Sequence, residues 1–491
     1  MDVQTDVPIS IVGRSRRFAN NLFNQYRKWI FKAGFALGDQ AIFAGANFVI
    51  NVLLARWMVP DEYGAFVVAY SWFLLALQVY DGMLMEPMTI FGSGKYADRM
   101  NKYLGFIYRG HVGISLLLAL VLGLSVIPVA RFDSPLVALA MLGIALATPF
   151  IMTRWMTRLP FYVMMRPHLA MVGGIAYFIV ALVLITVLHN VPVVNIVLPA
   201  SLSTGDLGGL FWIQINTLLS PLTAALALGA ASTVSSFLLT VLFLKPSWNL
   251  QDDKITARGL LKDHWGYGRW ATATRILTWF PSNLQYIVLP IVIGLSASAA
   301  LRAMMNLVLP VYMAITAMIS ILAPFFVRRY RAEGKEGLLR VVRKILILGV
   351  AVTGAYCFVI TVFGAWIIDL LFAGKYNEFA TLPFLFTMGL LPVSTVVTII
   401  LDASLRSTGH VRQSFQANVI PAISWLTLGV ALLAIFGIIG ANLGSLVNSG
   451  IAISLMVMYI RRIPPGLPPS DDEETPAADS APDPAIEETG T

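Results

Sequence analysis

Charge is scarce in this chain. Only 12% of its 491 residues are Asp, Glu, Lys or Arg, against 57% hydrophobic, which excludes an ordinary soluble domain. There is one cysteine, Cys357, inside an apolar run, so neither a disulfide framework nor a cysteine metal site can be built. The five histidines, at 111, 168, 189, 264 and 410, lack ligand spacing such as HxxxH, so no metal centre is expected. A transmembrane barrel needs segments of about ten alternating residues, whereas stretches such as GISLLLALVLGLSVIPVA are apolar on every face, which disfavours a barrel. The first 30 residues are polar and basic and lack the apolar core of a cleavable signal peptide.

What remains is long apolar runs of a length that crosses a bilayer as helix. They predict spans at 33–57, 63–87, 104–129, 135–157, 169–188, 217–244, 269–294, 300–325, 341–363, 379–404, 414–436 and 438–460. The basic residues test that count independently, because one missed or invented helix would scramble the sidedness of every later loop. With the N-terminus inside, 30 of the 34 Lys and Arg fall on the inner side, and only Arg56, Arg131, Arg302 and Lys375 fall outside. The expected fold is therefore an all-α polytopic membrane protein of twelve transmembrane helices, N-in and C-in.

Five segments follow. Residues 1–32 read as a basic interfacial helix, with Phe18, Leu22, Tyr26 and Trp29 on one face, held by anionic lipid on the cytoplasmic leaflet. Residues 33–244 and 269–462 read as two six-helix bundles, and 245–268 as the cytoplasmic linker between them. Residues 463–491 are Pro-rich and carry eight acidic residues, the composition of a disordered tail. The stretch 189–216 reads as the longest outer loop. Laid on itself at an offset of about 235, the chain repeats its layout of span, short outer turn and span. Two halves entering the membrane in the same direction can enclose a central cavity, a common transporter plan.

Several stretches carry a recognisable pattern. LLARWMVPDEYGAF after the first span, YDGMLMEPMTIFGSGKYAD closing the second, IIDLLFAGKYNEF before the tenth, and DASLRSTGHVRQSFQANV followed by FGIIGANLGSLVNSGIAI near the end resemble the polysaccharide transporters, the Wzx-type flippases of the MOP superfamily, over residues 33–462 in order. The second-half turn GLSASAALRAM departs from the usual pattern. The resemblance implies a non-enzymatic flippase in the bacterial cytoplasmic membrane. Such a protein moves a polyprenyl-pyrophosphate-linked oligosaccharide from the inner to the outer leaflet for surface polysaccharide synthesis. Its implied partners are that lipid, the surrounding membrane lipids, a polysaccharide polymerase and other assembly proteins. Nucleic acid is not among them, and a monomer is expected. Two other readings stand beside it: a drug/cation antiporter of the same superfamily, and a membrane glycosyltransferase, polymerase or ligase, for which the outer loops are mostly too short.

A lipid-linked sugar needs a cationic spot, a polar cavity and an apolar slot for its tail, and ionisable residues inside spans are where to look first. Asp39 lies within the first span and Arg275 at similar depth in the seventh, where the offset pairs it with Gln40. The expectation is that Asp39 and Arg275 face each other across the mouth of the cavity, the arginine receiving the pyrophosphate. Asn47 and Asn51 follow on the face of Asp39. Arg154 and Arg158, four apart, point the same way and form a second candidate for the pyrophosphate. Asp81 and Glu86 are five apart, about 140° around an α-helix, so both can serve one site only if the span bends. Asp39, Asp81 and Glu86 are the candidates for coupling to a proton or sodium gradient; no cofactor or metal is expected. Arg56 is read as structural, capping its own helix and pairing with Asp61 or Glu62.

Overall fold

The computed structural model describes residues 11–132, 134–191, 218–244 and 256–463. The expected outer loop at 189–216, the first part of the 245–268 linker and the acidic tail lie almost wholly outside the described residues.

The chain is an all-α, multi-span membrane protein of about twelve membrane-crossing helices. The first half comprises α1 (Ile11–Trp57), α2 (Pro60–Tyr80), the short α3 (Glu86–Ser93), α4 (Met100–Phe132), α5 (Pro135–Val163), α6 (Pro167–Asn190) and α7 (Pro221–Leu239). The second comprises α8 (Ala257–Val292), α9 (Leu295–Met305), α10 (Leu309–Phe372), α11 (Leu382–Ser407), α12 (Val411–Ser424) and α13 (Val430–Arg462). Among the described residues nine stretches are long and apolar enough to cross a membrane, or ten when α9 and the start of α10, bent by 49°, count as one broken span. Two more crossings are reconciled by composition and by a turn. α8 is long enough but carries Arg269, Arg275 and many hydroxyl side chains, and the last stretch, 412–462, is interrupted.

Two glycines make the interruptions. Gly334, within α10, has φ 65°, and Gly437, within α13, has φ 58°. Such backbone is open to glycine at little steric cost, and the helix is broken there by a kink with almost no loop. Both fall between spans predicted at 300–325 and 341–363, and at 414–436 and 438–460. Lys335, just past the first turn, donates to the carbonyls of Arg461, at 3.1 Å, and Ile463. It thereby caps the last turn of α13 and gathers these basic segments at one face of the molecule, hereafter the basic face.

Proline at the first turn starts α2, α5, α6, α7, α10 and α11, where its missing N–H costs nothing. Small residues then allow close helix approach in the absence of a strong hydrophobic drive. A Cβ on Gly143 would lie 2.7 Å from Leu222 Cα, and one on Gly64 would lie 2.7 Å from the Leu295 carbonyl carbon. Large exposed aliphatics sit where lipid covers them, as with Leu116, Leu117, Leu120 and Leu124 along α4.

One expectation is revised. α1 runs unbroken from Ile11 to Trp57, so the basic stretch continues the first span's helix, where a separate interfacial helix was expected over 1–32.

Candidate functional site: neutralised carboxylates and a cationic polar cavity

The ionisable residues singled out in the sequence form two clusters. The first lies inside the first half. Asp39 of α1 is fully buried and its Oδ2 accepts from Arg158 Nε at 3.0 Å and Nη2 at 2.6 Å, and from the Tyr162 hydroxyl. α6 supplies Gly174, whose missing side chain leaves room for Asp39 Oδ1. Arg158 and Arg154 leave α5 on one face as their spacing requires. Arg154, 6% exposed, lies 3.5 Å over the Tyr177 ring, and both guanidinium groups border Phe43. The aromatic faces and Asp39 together hold two buried cations with one anion.

The second cluster joins the halves. Arg275 of α8 donates through Nε to Glu86 Oε2 at 2.9 Å and through Nη1 to Asp81 Oδ2 at 3.3 Å, and the Tyr267 hydroxyl donates to Glu86 Oε1 at 2.7 Å. The expected pairing of Asp39 with Arg275 is therefore replaced by two separate clusters. A π-helical turn over Asp81–Met85 explains how one arginine reaches both carboxylates: the Glu86 N–H bonds to the Asp81 carbonyl. That five-residue repeat puts Glu86 one turn above Asp81 and removes the 140° offset of a regular α-helix. Gly82 in this turn lets α8 approach, since a Cβ there would lie 2.6 Å from Thr272 Cα and N.

Further contacts stitch the halves beside it. Asp263 accepts from Lys95 at 2.6 Å and Tyr96 at 2.7 Å. Burial raises its carboxyl pKa, but these bonds outweigh it and hold the group below the usual carboxylate value. His264, 5% exposed, lies 2.9 Å from the Tyr103 hydroxyl and 3.2 Å from the Met83 carbonyl. At the opposite face, Arg56 donates to the carbonyls of Leu370 and Leu371 at 3.0 and 3.2 Å, while Lys375 and Tyr376 donate to those of Met58 and Ala55 at 2.8 and 3.1 Å. The ends of α1 and α10 thus cap each other across the halves. Arg56 takes this role where pairing with Asp61 or Glu62 was expected. Asn51 is spent on packing, with Nδ2 on the Asn47 carbonyl at 2.8 Å and Oδ1 accepting from Tyr63 at 3.4 Å.

A cavity of about 420 Å³ lies elsewhere, in the second half, and none of the singled-out residues lines it. Its wall is made by Gln285 and Tyr286 of α8, Arg302 of α9, Asn306 at the bend, Thr395 of α11 and Asn448 of α13, with serines at 282, 394, 445 and 449. No carboxylate lines it, and Arg302, 5.7 Å from the Tyr286 ring centre, has no carboxylate partner among the described residues. The signal for this residue was present in the sequence, because Arg302 is one of four cations that break the inside bias.

No family model matches the chain, and no curated protein matches it. Solved structures do. A multidrug resistance MATE family transporter of the MOP superfamily, in an inward-facing conformation, superimposes with TM-score 0.64 over 86% of this chain and 94% of its own, at 14% identity. This chain has the MOP superfamily fold. The lipid II flippase MurJ, in an inward closed conformation, shares the fold with TM-score 0.63 over 89% of this chain and 88% of its own, at 12% identity. So does a MOP superfamily transporter from Pyrococcus furiosus, described as having a binding pocket of reverse polarity, with TM-score 0.56 over 88% and 94% at 14% identity.

Proposed function

We propose that this chain is a non-enzymatic flippase of the bacterial cytoplasmic membrane. Its substrate is a polyprenyl-pyrophosphate-linked oligosaccharide, moved from the inner to the outer leaflet by rocking of the two halves. The observation that carries this is the sign of the uncompensated charge. Asp39, Asp81 and Glu86 are each engaged by an arginine, whereas Arg302 faces a polar cavity lined by no carboxylate among the described residues. A half-buried cation that has only tyrosines beside it and no carboxylate among the described residues carries a costly uncompensated charge, and an anionic ligand offsets that cost. A drug/cation antiporter needs the reverse, a carboxylate open to the cavity.

The fold alone does not choose, since MATE transporters and the MurJ flippase both resemble it. The lipid II flippase is a precedent for a lipid-linked substrate on this fold. The binding pocket of reverse polarity in the Pyrococcus furiosus protein is a precedent for a change of pocket polarity on it. The test uses the purified chain in liposomes with a polyprenyl-pyrophosphate oligosaccharide in the outer leaflet, whose accessibility to an added glycosidase reports movement. Protein-dependent loss of accessibility, abolished in Arg302→Ala, is expected. Proton-driven uptake of ethidium without lipid movement would replace the proposal with the antiporter.

A further inference from the structure

Three amides from three elements converge on the cavity of the second half, and each has an atom left over. Gln285 Oε1 and Asn448 Oδ1 make no hydrogen bond among the described residues, and Asn306 Nδ2 makes none of ordinary geometry, its side chain lying beside the Tyr63 hydroxyl. Gln285 is 6% and Asn306 4% exposed, so bulk water does not solvate them freely. Buried polar groups in folded proteins are otherwise almost always paired. Exchanging amide oxygen and nitrogen leaves the argument intact, because each side chain presents both a donor and an acceptor.

The mixture of donors and acceptors discriminates between ligands. A pyrophosphate offers acceptors only and would leave the amide oxygens unpaired. An organic cation would call for a carboxylate, and none lines the cavity among the described residues. Sugar hydroxyls donate and accept at once and match amides and serine hydroxyls together, while the Tyr286 ring offers a flat apolar face. Depth points the same way. Arg302 is eight residues beyond Gly294, the turn between α8 and α9, or about 12 Å of helix. The cavity therefore lies toward the face opposite the basic one, ahead of a phosphate that enters at the basic face.

We infer that this cavity is a glycan subsite: Gln285, Asn306 and Asn448 take the hydroxyls of the sugar portion, and Arg302 at the same wall takes an anion borne by sugar or carrier. The inference rests on the flippase reading. The test is native mass spectrometry of the purified full chain with two probes. One is the lipid-linked oligosaccharide fraction extracted from cells lacking this protein, and the other is undecaprenyl pyrophosphate without sugar. The wild-type chain binds the glycan-bearing lipid more tightly, and each of Gln285→Leu and Asn448→Leu removes roughly tenfold of that preference while binding of undecaprenyl pyrophosphate stays unchanged. Equal affinity of the wild-type chain for the two lipids, which needs no variant to measure, overturns the subsite. So does a preference that survives both substitutions. If the wild-type chain binds neither lipid, the flippase reading itself falls, and the subsite with it. Loss of binding in Arg302→Gln for both probes assigns its anion to the carrier phosphate, and loss for the glycan-bearing probe alone assigns it to the sugar.

Discussion

Arg158 closes on Asp39 with two nitrogens on one carboxylate oxygen, at 2.6 and 3.0 Å, in a site where Asp39 is wholly buried. Once buried, such a pair is hard to break, because removing one partner strands the other's charge away from water. The loss is about 3–5 kcal/mol. Arg154 makes it worse, since its own cation sits in the same pocket on Tyr177.

Asp39→Asn is therefore expected to lower the thermal stability of the detergent-purified protein strongly, and Arg158→Gln to do the same. The double variant should recover part of the loss, because the two changes share one interaction. Strictly additive melting shifts would show that the ion pair does not hold these helices. Unchanged stability with transport lost would return Asp39 to a coupling role.

The inner cluster behaves differently because it is only partly buried, with Arg275 35% and Glu86 32% exposed at their side chains. Pairs of that exposure contribute about 1 kcal/mol or less each, too little to decide folding but enough to bias two conformations several-fold. Spin labels at Asp98→Cys and Arg258→Cys, one exposed site per half, read the separation at the basic face, and the native Cys357 is buried. Arg275→Ala should broaden that distance toward longer values with normal melting behaviour. Arg275→Lys should be intermediate, because a lysine cannot place two fixed donors on Asp81 and Glu86 together. An unmoved distance distribution would reduce the cluster to a surface contact.

How much of this was legible beforehand depends on the kind of interaction. Span positions were, because hydrophobic length and the inside bias are local and additive along the chain; even the kinks at Gly334 and Gly437 fall between predicted spans. The partners of Asp39 and Arg275 were not. Pairing depends on which helix faces which, and hydropathy carries no such information. Asp81 and Glu86 were separated on paper by regular α-helical geometry, and a single i to i+5 bond brings them together. Arg302 was visible as an exception and was set aside as one. Its importance comes from neighbours on α8, α11 and α13 that are far away in sequence.

Gly64 on α2 and Gly82 in the π-helical turn that follows it allow a test of rocking by pure sterics. At the basic face a Cβ on Gly82 would lie 2.6 Å from Thr272 backbone, and at the opposite face one on Gly64 would lie 2.7 Å from the Leu295 carbonyl carbon. Thr272 Oγ1 can turn away from a methyl group at Gly82, but at both points backbone atoms also lie within 2.7 Å, so the helices must part. Gly82→Ala should lengthen the distance between labels at 98 and 258. Gly64→Ala should lengthen one between Val59→Cys and Ile293→Cys, both exposed, and leave the first distance alone. If both substitutions open the same face, the halves do not pivot about α2.

His264 makes the contact at the basic face sensitive to pH. Its burial lowers the pKa below the ordinary histidine value of about 6.5, opposed in part by the Met83 carbonyl and the neighbouring Asp263 charge. The neutral ring fits its surroundings with Nδ1–H donating to Met83 and Nε2 accepting from the Tyr103 hydroxyl. When the halves part, the ring regains water and its ordinary basicity, so the parted state binds the proton more readily. The sign follows: the contact is fully stable above about pH 6.5 and is weakened as pH falls through and below that value. Asp263 does not titrate in this window, since the bonds from Lys95 and Tyr96 hold it below the ordinary carboxylate value. The distance between labels at 98 and 258 should therefore lengthen between pH 7.5 and 5.5 in the wild-type background. In His264→Gln, which keeps a side-chain donor for Met83, it should be flat. A pH response that survives this substitution would place the titrating group elsewhere in the interface.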